Sequence, residues 1–266
     1  MEKLIIQNRQ SLLDEEFLNG VKSSILAAGM HSAGMNMPDP NTRIWRYMKF
    51  RDLEDLLYKE RLYFSRADKV SDSNEGQLPR SIKETLEVLL PHIHRNNCPN
   101  SLEYLMEREE KGLRQYKLAI FLSCWHLDDN ETEDRWEQHR DREIAIQSTY
   151  LKFELASYEK RMKRYEVSCV HYIDHENDFV SQQHPFTIYV QKAKQFEFEK
   201  ELRAITYSPA MSMNEGVYIP VSIENLLEQI VISPRASEQV RIQALDLISR
   251  YQPKIPVRDS KFRIIA

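Results

Sequence analysis

Two periodicities divide the chain into predicted helices and strands. Apolar residues recur every three or four positions between about residues 11 and 28, which predicts an amphipathic helix. Residues 44–48 and 62–65 are short and rich in aromatic side chains, which predicts two strands around a short helix at 52–58. The pattern therefore predicts a helical N-terminal extension over residues 1–43. A single α+β domain is expected over residues 44–266, beginning with a β-α-β unit.

The rest of the domain is predicted to build one sheet with helices around it. Two heavily charged segments, 82–90 and 102–116, predict a helical insertion at about 81–116. Residues 118–125 form a continuous apolar run, which is typical of a central strand buried on both faces. Further strands are predicted at 143–150, 166–173, 217–221 and 229–234, and further helices at 131–139, 151–163, 185–194 and 238–251. We expect a curved, mixed or antiparallel sheet flanked by helices.

Composition and charge limit the classes of function. Hydrophobic residues make up 41% of the chain and charged residues 29%, as in a globular protein. The formal net charge of −4 disfavours a purely electrostatic, non-specific nucleic-acid binder. The odd number of cysteines, at 98, 124 and 169, predicts reduced thiols. We see no signal peptide and no apolar run long enough for a membrane span, so we expect a cytoplasmic protein without a membrane partner.

The common nucleotide and metal motifs are absent. Gly29 and Gly34 have the spacing of a phosphate loop, but Met35 and Asn36 stand where lysine and serine or threonine belong. His92, His94 and Cys98 are metal-ligand types, yet no second cluster completes a tetrahedral set. We therefore predict neither a dinucleotide fold of the usual glycine-rich kind nor a metal site.

The acidic segment at residues 196–205 is the strongest candidate for an active-site element. If it is a strand, one face carries Glu197, Glu199, Glu201 and Arg203. Three carboxylates on one face repel one another unless a cation lies opposite them. If the segment instead continues the preceding helix, Glu197 and Glu201 lie on a solvated face at i,i+4. The residues alone leave both interpretations open.

The first β-α-β unit carries complementary side chains. Arg46 and Tyr47 lie on its first predicted strand, and Tyr63 and Ser65 lie on the second. Arg46 is equally compatible with a surface cation, and Tyr47 with a core aromatic residue. These residues gain a functional interpretation only in combination with the acidic segment.

Several blocks in a fixed order resemble a bacterial family known as domain of unknown function 2971. They run from about residue 44 to 260 and comprise Ile44-Trp45-Arg46-Tyr47-Met48, Leu62-Tyr63-Phe64-Ser65, Asp72-Ser73-Asn74-Glu75-Gly76, Phe121-Leu122-Ser123-Cys124-Trp125, Arg135-Trp136, Ile144-Ala145-Ile146-Gln147-Ser148-Thr149, Glu199-Lys200-Glu201-Leu202-Arg203 and Ile232-Ser233-Pro234-Arg235-Ala236. The chain departs from the family at His139 and Glu143, near positions where the family has an aromatic residue and a glycine.

The order of these parts is also similar to that of ADP-ribosyltransferases, which split NAD without a glycine-rich loop. The resemblance implies an ADP-ribosyltransferase-like fold in which Glu201 is the catalytic carboxylate and Glu199 orients the acceptor. Which of the two glutamates is catalytic stays open. NAD is implied as a substrate, and the residues implied to bind it or support the glutamates are Arg46, Tyr47, Tyr63, Ser65, Ser123 and Arg203.

Two other functions compete with ADP-ribosyl transfer. A magnesium-dependent nuclease would use Asp72, Glu75, Glu199 and Glu201 as oxygen ligands. A non-enzymatic binding module would use the glutamates to pair with basic residues of a partner. If the resemblance holds, we expect a toxin or effector of a bacterial defence or toxin–antitoxin module. Its partners would be a protein or nucleic-acid acceptor and a neutralising antitoxin.

Overall fold

The computed structural model describes residues 35–70, 84, 87, 102–158, 165–178, 184–252 and 254–262. For residues 102–106 and 108–110 it describes the backbone alone. The predicted helix at 11–28 lies outside the described residues, as do most of the first half of the predicted insertion and the residues Asp72, Glu75, His92, His94 and Cys98.

Nine strands of the described residues form one mixed sheet. They are β1 (Arg43–Met48), β2 (Arg61–Arg66), β3 (Ile120–Leu127), β4 (Ile144–Thr149), β5 (Glu166–Cys169), β8 (Glu201–Tyr207), β9 (Gly216–Pro220), β10 (Gln229–Ile232) and β11 (Val257–Asp259). The order is β11-β10-β4-β1-β3-β2-β9, and β8 pairs with both β3 and β5. Only β10 and β11 are parallel neighbours among these described pairs. Strands β6 (His171–Ile173) and β7 (Gln191–Ala193) form a separate parallel pair.

Six described α-helices accompany the sheet. They are α1 (Phe50–Lys59), α2 (Leu102–Lys117), α3 (Glu133–Gln138), α4 (Tyr150–Tyr158), α5 (Ile223–Leu226) and α6 (Glu238–Tyr251). Helix α1 is amphipathic, and its leucines 53, 56 and 57 are buried in the main core. Side-chain caps from Thr132 and Ser237 begin α3 and α6. The predicted combination of a mixed sheet with flanking helices is confirmed.

Strand β3 is the centre of the sheet. It pairs with β8 from Ile120 to His126. On its other edge, β1 pairs only at the C-terminal end of β3, through positions 126 and 127. Strand β2 pairs only at the N-terminal end, through positions 121 and 122. Strands β1 and β2 therefore diverge along the same edge of β3.

Two predicted elements differ from the structure. Residues 185–194 were expected to be helical, but they form a 3₁₀ turn at Thr187–Tyr189 followed by β7. The single strand expected at 166–173 is two strands of different sheets. The chain changes partner at Val170, whose N–H donates to the Glu201 carbonyl, and the N–H of His171 then donates to Val190. None of the described helices combines the length and the apolar character needed to cross a membrane.

Candidate active site

The acidic segment is part helix and part strand. A 3₁₀ helix spans Lys194–Glu199, Lys200 adopts a left-handed conformation with φ 44°, and β8 starts at Glu201. Glu201 and Arg203 therefore share a strand face, whereas Glu197 and Glu199 lie on the helical turn before it. Neither sequence interpretation is right for the whole segment, because the left-handed residue ends the helix and redirects the chain.

Two cations hold the carboxylates of Glu199 and Glu201. Lys192 Nζ lies 2.5 Å from Glu199 Oε2 and 3.1 Å from Glu201 Oε1. Arg203 Nε donates to Glu201 Oε2 at 2.7 Å, and Arg203 Nη1 donates to the carbonyl of Tyr189 at 2.9 Å. The side chains of Arg203, Lys192 and Glu201 are 0%, 5% and 8% exposed, and that of Glu199 is 19% exposed. The result is a buried ion cluster with its most open member at Glu199.

This arrangement shifts the pKa values of the two carboxyl groups in opposite directions. Burial and a hydrogen bond with the carboxyl of Glu201 raise the pKa of Glu199 to about 7, against the opposing effect of Lys192. Burial also acts to raise the pKa of Glu201, but Arg203, Glu199 and Lys192 together outweigh burial and hold it well below its ordinary value. Near neutral pH the cluster thus combines one ionised carboxylate, Glu201, with a carboxyl group, Glu199, that exchanges its proton.

Backbone contacts fix both glutamates. The N–H of Glu201 donates to the phenolic oxygen of Tyr172 at 2.8 Å. The carbonyl oxygen of Glu199 lies 2.7 Å from Arg135 Nη2 and 2.9 Å from His126 Nδ1. These partners come from β6, α3 and β3, so three elements position the turn between the two carboxylates.

An aromatic group lies beside the cluster. His126 pairs in register with Glu201, so the two side chains project from the same face of the sheet. The ring of Tyr47 lies 6.0 Å from that of His126 and stacks on His139 at 4.8 Å. Tyr47 thus lies on the face that carries the ion cluster, and its ring neighbours that of His126, the residue paired with Glu201.

Tyr63 and Ser65 share this face as well. Ser65 pairs with Leu122, which lies four residues before His126 and therefore points to the same side of β3. Tyr63 lies two residues before Ser65 and has the same orientation. Both residues are partly exposed. The site face therefore carries three of the predicted NAD-binding residues in addition to Arg203.

Arg46 and Ser123 lie on the opposite face. Arg46 Nη1 donates to Ser123 Oγ at 2.7 Å, and Arg46 Nη2 donates to the Tyr63 carbonyl at 2.9 Å. Ser123 pairs with Ala204, so the two side chains share a face. Glu201 is an odd number of residues from Ala204 along β8 and therefore points to the other face. Arg46 thus bridges the diverging strands β1 and β2 rather than joining the ion cluster.

Arg46 also lines a cavity of about 780 Å³ at this divergence. Its walls come from β1, α1, β2, β9 and α6, and they include Tyr47, Tyr63 and Tyr218. The pKa of Arg46 is lowered, and burial of the guanidinium is the largest cause. Of the described residues, neither Glu199 nor Glu201 lines this cavity.

The described residues contain no group of three or more His, Cys, Asp or Glu side chains arranged to hold a metal ion. Asp72 and Glu75, which the nuclease hypothesis requires, lie outside the described residues. The other two proposed ligands, Glu199 and Glu201, are bound by Lys192 and Arg203. A divalent cation would have to displace these cations from carboxylates that they already neutralise.

The sequence did not indicate several members of the site. Lys192 falls in a segment expected to be helical, and nothing in its neighbourhood distinguishes it from a surface lysine. Tyr172 sits in a strand without any motif, and His126 directly follows one of the family-like blocks. Arg135 belonged to one of the family-like blocks, and His139 occupied a position where the chain departs from that family. These two signals existed but did not reveal a role.

The comparisons with known proteins give distant similarity. No family model matches the chain, so this comparison does not support the resemblance to domain of unknown function 2971. No curated protein matches the chain either. The chain is similar in structure to "Thermus sp. 2.9 DarT in complex with ADP-ribosylated ssDNA", with 11% identity and a TM-score of 0.36. The match covers 85% of this chain and 97% of that chain, and at this level it carries no argument about function.

Proposed function

We propose that the protein cleaves the bond between nicotinamide and ribose in NAD and transfers ADP-ribose to a macromolecular acceptor. One observation carries the proposal: two adjacent carboxyl groups share Lys192, and their environments push their pKa values apart. Pairs of carboxyl groups separated in this way divide ionic and acid–base roles in glycosidic bond cleavage.

Glu201 has the properties of the charged partner. Departure of nicotinamide leaves positive charge on the ribose, and a fixed carboxylate stabilises that charge in the transition state. Arg203 and Lys192 each bind one oxygen of Glu201 and hold the carboxylate in one orientation. Lys192, Arg203 and Glu199 use three of the four lone pairs of the carboxylate, and the fourth accepts a hydrogen bond from a ribose hydroxyl.

Glu199 has the properties of the general base. Its pKa of about 7 lies in the range where a carboxylate accepts a proton efficiently at neutral pH. It is also the most exposed member of the cluster, so an acceptor group approaches it more easily than it approaches Glu201. We therefore assign activation of the acceptor to Glu199.

The remaining assignments follow the faces of the sheet. Tyr47, Tyr63 and Ser65 lie on the face of Glu201, and we assign them contacts with NAD, with a tyrosine stacking on nicotinamide. Arg46 and Ser123 lie on the other face, and their contact with NAD remains a prediction of the family resemblance. The identity of the acceptor, as protein or nucleic acid, and the toxin and antitoxin context remain predictions of the same kind.

The proposal is tested with NAD labelled in the adenylate phosphate, incubated with the protein and a bacterial lysate. We expect released nicotinamide and a labelled product, which protease or nuclease digestion assigns to an acceptor class. Glu201→Gln should lower the rate by about 100- to 1000-fold, the usual effect of removing one preorganised electrostatic group. Glu197→Gln is the matched control, because Glu197 is an exposed carboxylate on the same turn. Equal rates for the two variants, or no labelled product with the wild type, would refute the proposal.

A further inference from the structure

Beside its backbone hydrogen bonds, the turn between Glu199 and Glu201 is held by two side chains that share one carbonyl oxygen. Arg135 Nη2 and His126 Nδ1 both lie within hydrogen-bond distance of the Glu199 carbonyl, at 2.7 and 2.9 Å. Lys200, the next residue, has a positive φ of 44°, which is uncommon for a residue with a Cβ atom. Two donors on one carbonyl offset the cost of this conformation.

The Arg135 side chain is itself fixed. Its Nε donates to Asp128 Oδ2 at 2.6 Å, and its Nη1 donates to Gln138 Oε1 at 2.9 Å. Only 4% of the side chain is exposed. Each of the three guanidinium nitrogens therefore donates to a different partner. Only Nη2 contacts the acidic turn, at the Glu199 carbonyl.

The His126 tautomer is determined by its neighbours. A carbonyl oxygen only accepts, so His126 Nδ1 must carry the proton that is donated to Glu199. In the neutral ring, His126 Nε2 then accepts, and the 2.8 Å contact requires His139 Nε2 to donate to it. His139 stacks on Tyr47, so a chain of contacts runs from Tyr47 to the Glu199 backbone.

We propose that Arg135 and His126 are positioning residues. By donating to one carbonyl oxygen they hold the left-handed turn at Lys200, which places the Glu199 carboxyl on Lys192 beside Glu201. The catalytic part of this inference rests on the proposed function, whereas the structural part does not. If the turn is released, Glu199 moves towards solvent and loses both its burial and its hydrogen bond to Glu201.

The experiment uses variants that each remove one of the two donors to the Glu199 carbonyl. Arg135→Lys keeps a cation beside Asp128 but cannot reproduce the geometry of the guanidinium fork. His126→Leu removes the second donor, and His126→Asn returns an amide N–H close to the Nδ1 position. Glu133→Gln is the matched control, because Glu133 is an exposed residue of the same helix and is none of the three partners of Arg135.

Two readouts are measured in each variant. The first is the titration of the Glu199 carboxyl by NMR on protein with ¹³C-labelled glutamate side chains, assigned by loss of the signal in Glu199→Gln. We expect the midpoint to fall by at least about 1 pH unit in Arg135→Lys and His126→Leu, towards the ordinary glutamate value of about 4.3. The second is NAD cleavage, where we expect kcat to fall at least about tenfold with little change in KM, as for a transition-state effect.

His126→Asn should recover most of both losses, and Glu133→Gln should match the wild type. If Arg135→Lys and His126→Leu stay folded by circular dichroism and leave the Glu199 titration unchanged, the positioning proposal is overturned. If the titration shifts as expected but the wild type does not cleave NAD, the proposed function fails and the positioning of Glu199 stands.

Discussion

Lowering the pH from 8 to 5 should reduce the rate of NAD cleavage and transfer by about 100-fold. In a plot of log rate against pH, we expect an acidic limb below about pH 7 in which the rate falls roughly tenfold per pH unit. The active form of a general base is the deprotonated one, and the pKa of Glu199 is raised to about 7 by burial and by its hydrogen bond with Glu201. About half of the molecules then carry an ionised Glu199 at pH 7, and about 1% do so at pH 5. Glu201 stays ionised over this range, so it adds no second limb.

The assay is initial-rate release of nicotinamide at saturating NAD, with buffers of constant ionic strength. Glu199→Gln should remove the limb and leave a slow, pH-independent rate. Lys192→Met provides a directional check, because Lys192 lowers the pKa of Glu199 and its loss should move the limb to higher pH. A flat wild-type profile between pH 5 and 8, or a limb that survives in Glu199→Gln, would show that Glu199 is not the base.

Two further predictions concern stability. Glu131→Gln should lower the free energy of unfolding by about 2–4 kcal/mol in urea denaturation. The reason is that a buried carboxylate, which accepts hydrogen bonds from Trp136 and Arg258, becomes neutral. An unchanged urea midpoint would contradict a stabilising ion pair with Arg258. Gly216→Ala should lower the melting temperature by a few degrees, because its Cβ atom would lie 2.2 Å from the ring of Tyr63 and force that ring to move. Unaltered Tyr63 resonances in this variant would count against the close approach.

Hydrophobic periodicity predicted the sheet's strands but not their relative positions. Residues 118–125 and 229–234 became β3 and β10 because buried strands need continuous apolar side chains, a local property of the sequence. Register is not local, since a shift of one residue turns every side chain to the other face. That parity places Arg46 and Glu201 on opposite faces, although their residue types had suggested a shared site.

The candidate site was only partly predictable for a similar reason. Glu199 and Glu201 were singled out because closely spaced carboxylates need a cation. The sequence offered Arg203 two residues later, and Arg203 does bind Glu201. The second cation, Lys192, lies on β7, which pairs with β6 outside the main sheet and so brings the lysine to the two glutamates. A non-glycine residue in the left-handed region, Lys200, has no sequence signature, so the convergence of the two glutamates was not foreseeable.

Burying the charged side chains of Glu201 and Arg203 along β8 carries a desolvation cost. Their neighbours Leu202, Ala204 and Ile205 are fully buried apolar residues, and well-packed apolar side chains often give equal or greater stability than a buried ion pair. Removal of one charge leaves its partner buried without a counter-charge and destabilises the fold. Replacement of all the charged residues by apolar ones need not destabilise it. Stability alone therefore does not explain why charges occupy this position. The reaction that we propose would explain it, because a reaction that develops positive charge at a fixed point needs an ionised carboxylate held by partners that keep it from moving.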